Sequence, residues 1–128
     1  MQTFFFVKEQ GRYVRVDFAS ILFIEARSNY VQIVTGSRVF MCLVSMRQIE
    51  KLLPADSFCR VHRSYIVGIS SIQSFDKERI YLDDRMIPIG DRYRSALHRS
   101  VTMVRCKNGD SVLMGEEDES FVLMDDED

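Results

Sequence analysis

The sequence predicts a mostly β fold, with antiparallel strands and one or two short helices packed on them. Three observations lead there. Polar and apolar residues alternate with a period of two in short runs such as Arg12-Tyr13-Val14-Arg15-Val16 and Tyr30-Val31-Gln32-Ile33-Val34. Turn-forming residues punctuate these runs at short intervals. The one stretch with pronounced helical spacing is Ser45 to Leu53.

Taken in order, Phe4 to Val7 and Arg12 to Val16 flank Glu9-Gln10-Gly11 and read as strand, turn, strand. Asp17 to Ser20 suits one helical turn leading into the strand Ile21 to Glu25, and Ala26 to Asn29 is a polar break. Strands follow at Tyr30 to Val34 and Arg38 to Leu43, joined by Thr35-Gly36-Ser37. In the helix, Met46, Ile49, Leu52 and Leu53 form the apolar stripe, Ser45 is the N-cap and Pro54 is the stop. Cys59 to Val61 and Tyr65 to Val67 flank the polar knot His62-Arg63-Ser64. Ile72 to Phe75 and Arg79 to Leu82 read as strands joined by Asp76-Lys77-Glu78. Asp83-Asp84 turns into Met86 to Ile89, where Pro88 suits a sheet edge, and a short helix spans Arg92 to His98.

The 128 residues fit one domain with a terminal extension. The division expected is a domain over residues 1–98 and an acidic extension over 99–128. The first part carries 14 Lys and Arg against 10 Asp and Glu, and the second carries 3 against 9. Eleven of the 14 are Arg, whose planar fork suits phosphates and guanine edges. In the extension, Lys107-Asn108-Gly109-Asp110 is a hairpin signal between two apolar runs.

Several function classes lose support. Cys42, Cys59 and Cys106 are scattered and odd in number, which argues against a disulfide framework and a zinc site. No apolar run approaches the ~20 residues of a membrane span, and the N-terminus lacks a basic region and cleavage site, so a cytoplasmic protein without membrane contact is expected. No nucleophile elbow, phosphate loop or paired-carboxylate signature is present, so the sequence reads as a non-enzyme without metal or cofactor.

The motif order resembles that of LytTR DNA-binding domains, the sequence-reading modules of bacterial response regulators. The resemblance rests on Ile21 to Ala26 with Asn29-Tyr30-Val31, the helix Met46 to Leu53, and the central run Phe58-Cys59-Arg60-Val61-His62-Arg63-Ser64-Tyr65-Ile66-Val67. It continues through Ile72, Asp76 to Ile80, and Ile87 to Arg94, covering roughly residues 4–98. It implies a DNA-binding transcriptional regulator that places loops, not a recognition helix, in successive major grooves of repeated sites. Its partners would be double-stranded DNA, a second copy on the same duplex, and an upstream sensor kinase or receiver-containing protein. Here the chain starts almost at the first strand, as a fragment or a stand-alone regulator would, and Gly68 stands where the family often has Asn. That change is expected to affect a turn and not binding.

The resemblance also implies site residues. Arg63, Arg92 and Asn29 are expected to contact bases. Arg27, Arg60, Ser64, Lys77, Arg79 and Arg94 are expected to contact phosphates, which fix register without reading sequence. His62 and Tyr30 are expected to support the loops. The other reading is a protein-interaction or dimerisation module on the same scaffold, with the acidic tail as its partner-binding or autoinhibitory element.

Overall fold

The structure, a computed structural model, describes residues 2–106. Its centre is a five-stranded antiparallel sheet built from β3 (Ile21–Ala26), β4 (Val31–Thr35), β5 (Val39–Cys42), β6 (Phe58–His62) and β7 (Tyr65–Gly68). The strand order is β5-β4-β3-β7-β6. A hairpin of β1 (Phe4–Glu9) and β2 (Arg12–Asp17) covers one face together with α1 (Met46–Leu52). The other face is covered by β8 (Ser74–Phe75), β9 (Arg79–Leu82) and β10 (Arg85–Pro88) together with α2 (Arg94–Ser100).

The middle of the central sheet is thus buried on both faces, and its inner strands are more apolar than strict alternation allows, whereas the edge strand β5 leaves Val39 and Met41 exposed. On β3, Ile24 joins the hairpin-side core with Ile33, Ile66, Val16 and Phe18. Its neighbour Phe23 joins the opposite core with Val34, Val67, Ile80, Ile87 and Leu97. A register shift between Ile21 and Phe23 lets Ile21 also face the hairpin. Stripping either face of its cover would expose this apolar surface, at about 25 cal/mol per Å².

Local signals explain the elements. Gln10 and Gly11 have φ of 51° and 81°, the left-handed pair that closes a two-residue hairpin between Glu9 and Arg12. Ser45 caps α1 by accepting from the Gln48 N–H, and the Gln48 side chain accepts from the Ser45 N–H in return. Met46, Ile49 and Leu53 are buried as the helical spacing predicts, whereas Leu52 is 60% exposed and faces away from the core. A 3-10 turn at Ile69–Ser71 shortens the strand expected from Ile72 to Ser74–Phe75. The C-terminal helix begins with a 3-10 turn at Asp91–Tyr93 and runs to Ser100, two residues past the 98/99 division. The hairpin expected at Lys107-Asn108-Gly109-Asp110 lies outside the described residues.

Gly68 has ordinary extended backbone, with φ of −75°. A Cβ there would lie 2.7 Å from the Ile21 carbonyl oxygen. The glycine therefore permits a close approach of β7 to β3, which is a packing role more than the turn effect the sequence suggests.

Candidate nucleic-acid interface

The expected site residues fall in or beside four connecting segments, with Arg60 and His62 on β6, Arg79 on β9 and Arg94 on α2, and hydrogen bonds tie these segments together. The β3–β4 turn is closed by the Arg27 N–H on the Tyr30 carbonyl at 2.8 Å. It is joined to the β6–β7 turn by the Ala26 N–H on the Ser64 carbonyl at 2.9 Å, and by the Tyr65 hydroxyl on Glu25 Oε2 at 3.2 Å. The β6–β7 turn is joined to the segment after β10 by the Gly90 N–H on the Val61 carbonyl at 2.8 Å. That segment meets the β8–β9 turn where Arg94 Nε donates to the Lys77 carbonyl at 2.9 Å and the Ile89 N–H to the Glu78 carbonyl at 2.9 Å. Residues far apart in sequence are thereby fixed at one end of the molecule.

A bulge shapes the β6–β7 turn. Arg60 pairs with Ile66 and His62 with Tyr65, so β6 spends one residue more than β7 between those pairs. The extra residue, Val61, gives its carbonyl to the Gly90 N–H, and the ladder closes at His62 and Tyr65 with Arg63 and Ser64 forming the turn. His62 holds the turn from within, its Nδ1 accepting the Ser64 N–H at 3.0 Å while its ring packs edge-on against Tyr65. Burial and the neighbouring Glu25 push the Tyr65 phenol above its ordinary range, which keeps it the protonated donor to that carboxylate. Arg63 is exposed at the tip, and its guanidinium has no partner among the described residues.

The remaining arginines differ in their commitments. Arg92 is exposed and, like Arg63, has no side-chain partner among the described residues. Arg60 is largely covered, with 21% of its side chain exposed, and its guanidinium reaches Glu50 at 3.2 Å and the Arg63 carbonyl at 2.6 Å. Arg94 is spent on Lys77 and on Asp91 at 3.1 Å. Arg27 leans on the Gln32 amide oxygen at 3.2 Å. Lys77 and Arg79 are exposed on a turn whose shape Asp76 sets, because Asp76 Oδ1 accepts from the Glu78 and Arg79 N–H groups at 2.9 Å each. Those two backbone donors hold the Asp76 carboxyl below the usual carboxylate range.

Asn29 is exposed and Tyr30 half-buried, and both line a groove of about 400 Å³ beside Ser45 and Gln48 at the start of α1. Sequence reasoning passed over three groups here. Glu50 sits behind the β6–β7 turn, and nothing in its helical spacing signals that contact. Gly90 approaches His62 closely, its would-be Cβ lying 3.7 Å from the His62 Cα. Arg85 stacks over the Phe23 ring at 5.1 Å, and only its outward position at the start of β10 hints at a surface role.

Comparison with known proteins agrees with this arrangement. The family model for the LytTr DNA-binding domain matches residues 11–102. The chain belongs to the LytTr DNA-binding domain family. Over 62 residues it is 36% identical to the CO-responsive transcriptional regulator RcoM of Rhodospirillum rubrum. That match takes in 48% of this chain and spans only 26% of the relative's length. The fold matches the LytTr DNA-binding domain of a putative methyl-accepting/DNA response regulator from Bacillus cereus with a TM-score of 0.68. That comparison covers 78% of this chain and 97% of the other at 23% identity, so it speaks to the fold alone. Among the described residues no cluster of His, Cys, Asp and Glu could hold a metal, and no helix is long and apolar enough to cross a membrane.

Proposed function

We propose that this LytTr domain is a sequence-specific DNA-binding transcriptional regulator that reads duplex DNA with turns. In this reading the β6–β7 turn and the segment after β10 enter the major groove, and Arg63 and Arg92 pair with guanine O6 and N7. The observation that carries it is the contrast between these two uncommitted guanidinium groups and the engaged side chains beside them, in turns locked by backbone bonds. Asn29 completes the base contacts from the adjoining turn. Ser64, Lys77, Arg79 and Arg27 supply phosphate contacts at the flanks, with Arg94 holding the β8–β9 turn in place. Residues 1–98 carry this activity. Repeated sites about one helical turn apart would place two copies on one face of the duplex.

The test is selection from a random duplex library with the full chain at two salt concentrations. An enriched repeated motif, bound more weakly as salt rises, is the expected result. No enrichment at low salt would sink the reading.

A second reading, dimerisation, draws on β5. This edge strand and the residue after it show Val39, Met41 and Leu43 exposed at 43%, 62% and 82%, at alternate positions. Such an edge invites a second copy to pair antiparallel to it. Met41→Glu should then make a dimer monomeric in light scattering, and a wild-type chain that is monomeric at all concentrations removes the idea.

A further inference from the structure

Around the bulge in β6, four carbonyls accept from donors outside the β6–β7 ladder: those of Val61, His62, Arg63 and Ser64, the last from the Ala26 N–H at 2.9 Å. Val61 is served by Gly90, at 2.8 Å. His62 and Arg63 are served by one side chain, with Arg60 Nε donating to the His62 carbonyl at 3.4 Å and Nη2 to the Arg63 carbonyl at 2.6 Å. The same guanidinium puts Nη1 on Glu50 Oε1 of α1 at 3.2 Å. Arg60 therefore spans from the helix behind the sheet to both carbonyls that flank the Arg63 side chain.

We propose that Arg60, anchored by Glu50, is a positioning residue that sets the direction in which Arg63 leaves the sheet. The proposal rests on the DNA-reading function above and replaces a phosphate role for Arg60 with an internal one. The chemistry requires arginine. A planar fork with five N–H donors can meet two carbonyls and a carboxylate in fixed directions, whereas a lysine ammonium is a point charge on a flexible stem. The location supports it too. Arg60 is more covered than Glu50, at 21% against 46% side-chain exposure, so its charge is turned inward toward the helix. A base-reading side chain tolerates little play, since a bidentate pair with guanine is lost by small misplacement.

Positioning and phosphate contact make opposite demands. A phosphate contact needs the charge and not Glu50. A positioning residue needs the fork and the anchor. The experiment uses the full chain and the duplex enriched in selection, with a scrambled duplex for comparison, across a salt series. Arg60→Lys and Glu50→Gln should each lower the ratio of the two affinities by roughly three- to tenfold, a part of the Arg63→Ala effect. Their salt slopes should match wild type. Arg60→Lys combined with Arg63→Ala should cost no more than Arg63→Ala alone, because the two act through one contact. Without DNA, the Ser64 amide, which is bonded to His62 within the turn, should exchange faster with solvent in both variants.

Two results overturn the assignment. One is an Arg60→Lys chain that keeps wild-type discrimination while Arg60→Gln weakens both duplexes equally and flattens the salt slope by about one, the signature of a phosphate contact. The other is a Glu50→Gln chain with unchanged discrimination and unchanged Ser64 exchange. A wild-type chain that selects no duplex removes the DNA reading, and this role for Arg60 with it. A selecting wild type with unaffected variants removes the positioning role alone.

Discussion

The β3–β4 and β6–β7 turns close the same end of the same sheet, and each carries an arginine in a short polar run. Their construction differs. In the first, Arg27 bonds to Tyr30 through its backbone and to Gln32 through its side chain, so this turn is largely shaped from its own neighbourhood. The second depends on distant groups, namely Arg60 with Glu50, the Ala26 N–H and the Gly90 N–H. The self-contained turn leans its arginine on a neighbouring side chain while leaving it half exposed. The turn braced from outside leaves Arg63 uncommitted at its tip. A turn that must aim a side chain accurately gains from being over-determined by its surroundings, and a turn that merely reverses the chain does not need this.

Substitutions can break or sharpen this contrast. The largest effect is expected from Arg63→Ala and Arg92→Ala, each weakening the selected duplex by about 1–3 kcal/mol while barely changing a scrambled one. Arg27→Ala should weaken both duplexes slightly and equally, and titrations on the two duplexes would erase the distinction if the Arg27 and Arg63 variants behaved alike. Next comes Gly68→Ala, whose added methyl meets the Ile21 carbonyl at 2.7 Å where β7 joins β3. It should lower stability by about 1–3 kcal/mol in urea unfolding, and an unshifted midpoint would show that the strands can part freely there. Tyr65→Phe deletes the bond to Glu25 that links the two turns, at a cost of about 0.5–1.5 kcal/mol by the same assay.

The smallest effect concerns the flanking β8–β9 turn. The folded-state pKa of Asp76 is depressed by the Glu78 and Arg79 N–H groups. The stability it adds is therefore present above the unfolded carboxyl value near 3.9 and is lost as pH falls through the folded value. Asp76→Asn should lower the melting temperature slightly at neutral pH, and the gap to wild type should close in strong acid. A gap that widened on acidification would contradict this sign.

Much of the fold was legible because its signals are local. Short apolar or alternating runs bounded by turn residues placed the central strands, Gly11 marked the first hairpin, and Ser45 with Gln48 marked the start of α1. Leu52 failed as a core residue because the core takes Leu53 on the adjoining position, just beyond the helix end. The candidate site was legible as a set of turns, through the ordered motifs from Phe58 to Val67 and from Ile87 to Arg94. Which arginines stay uncommitted was not legible. Arg60 and Arg63 look equally available in sequence, and only a glutamate on a helix ten residues upstream and a bulge in β6 separate them.

The division of the core between the two faces of the sheet also has a consequence during synthesis. All five strands of the central sheet have been synthesised by residue 68, whereas the cover for the sheet's second face arrives only with Ile80, Ile87 and Leu97. A product ending between residues 68 and 80 would carry Arg63 but neither Gly90 nor Arg92, and would leave Phe23, Val61 and Val67 open to water. Such a chain is expected to aggregate sooner than to compete for an operator. Prematurely terminated copies would thus be withdrawn from solution before they could occupy regulatory DNA.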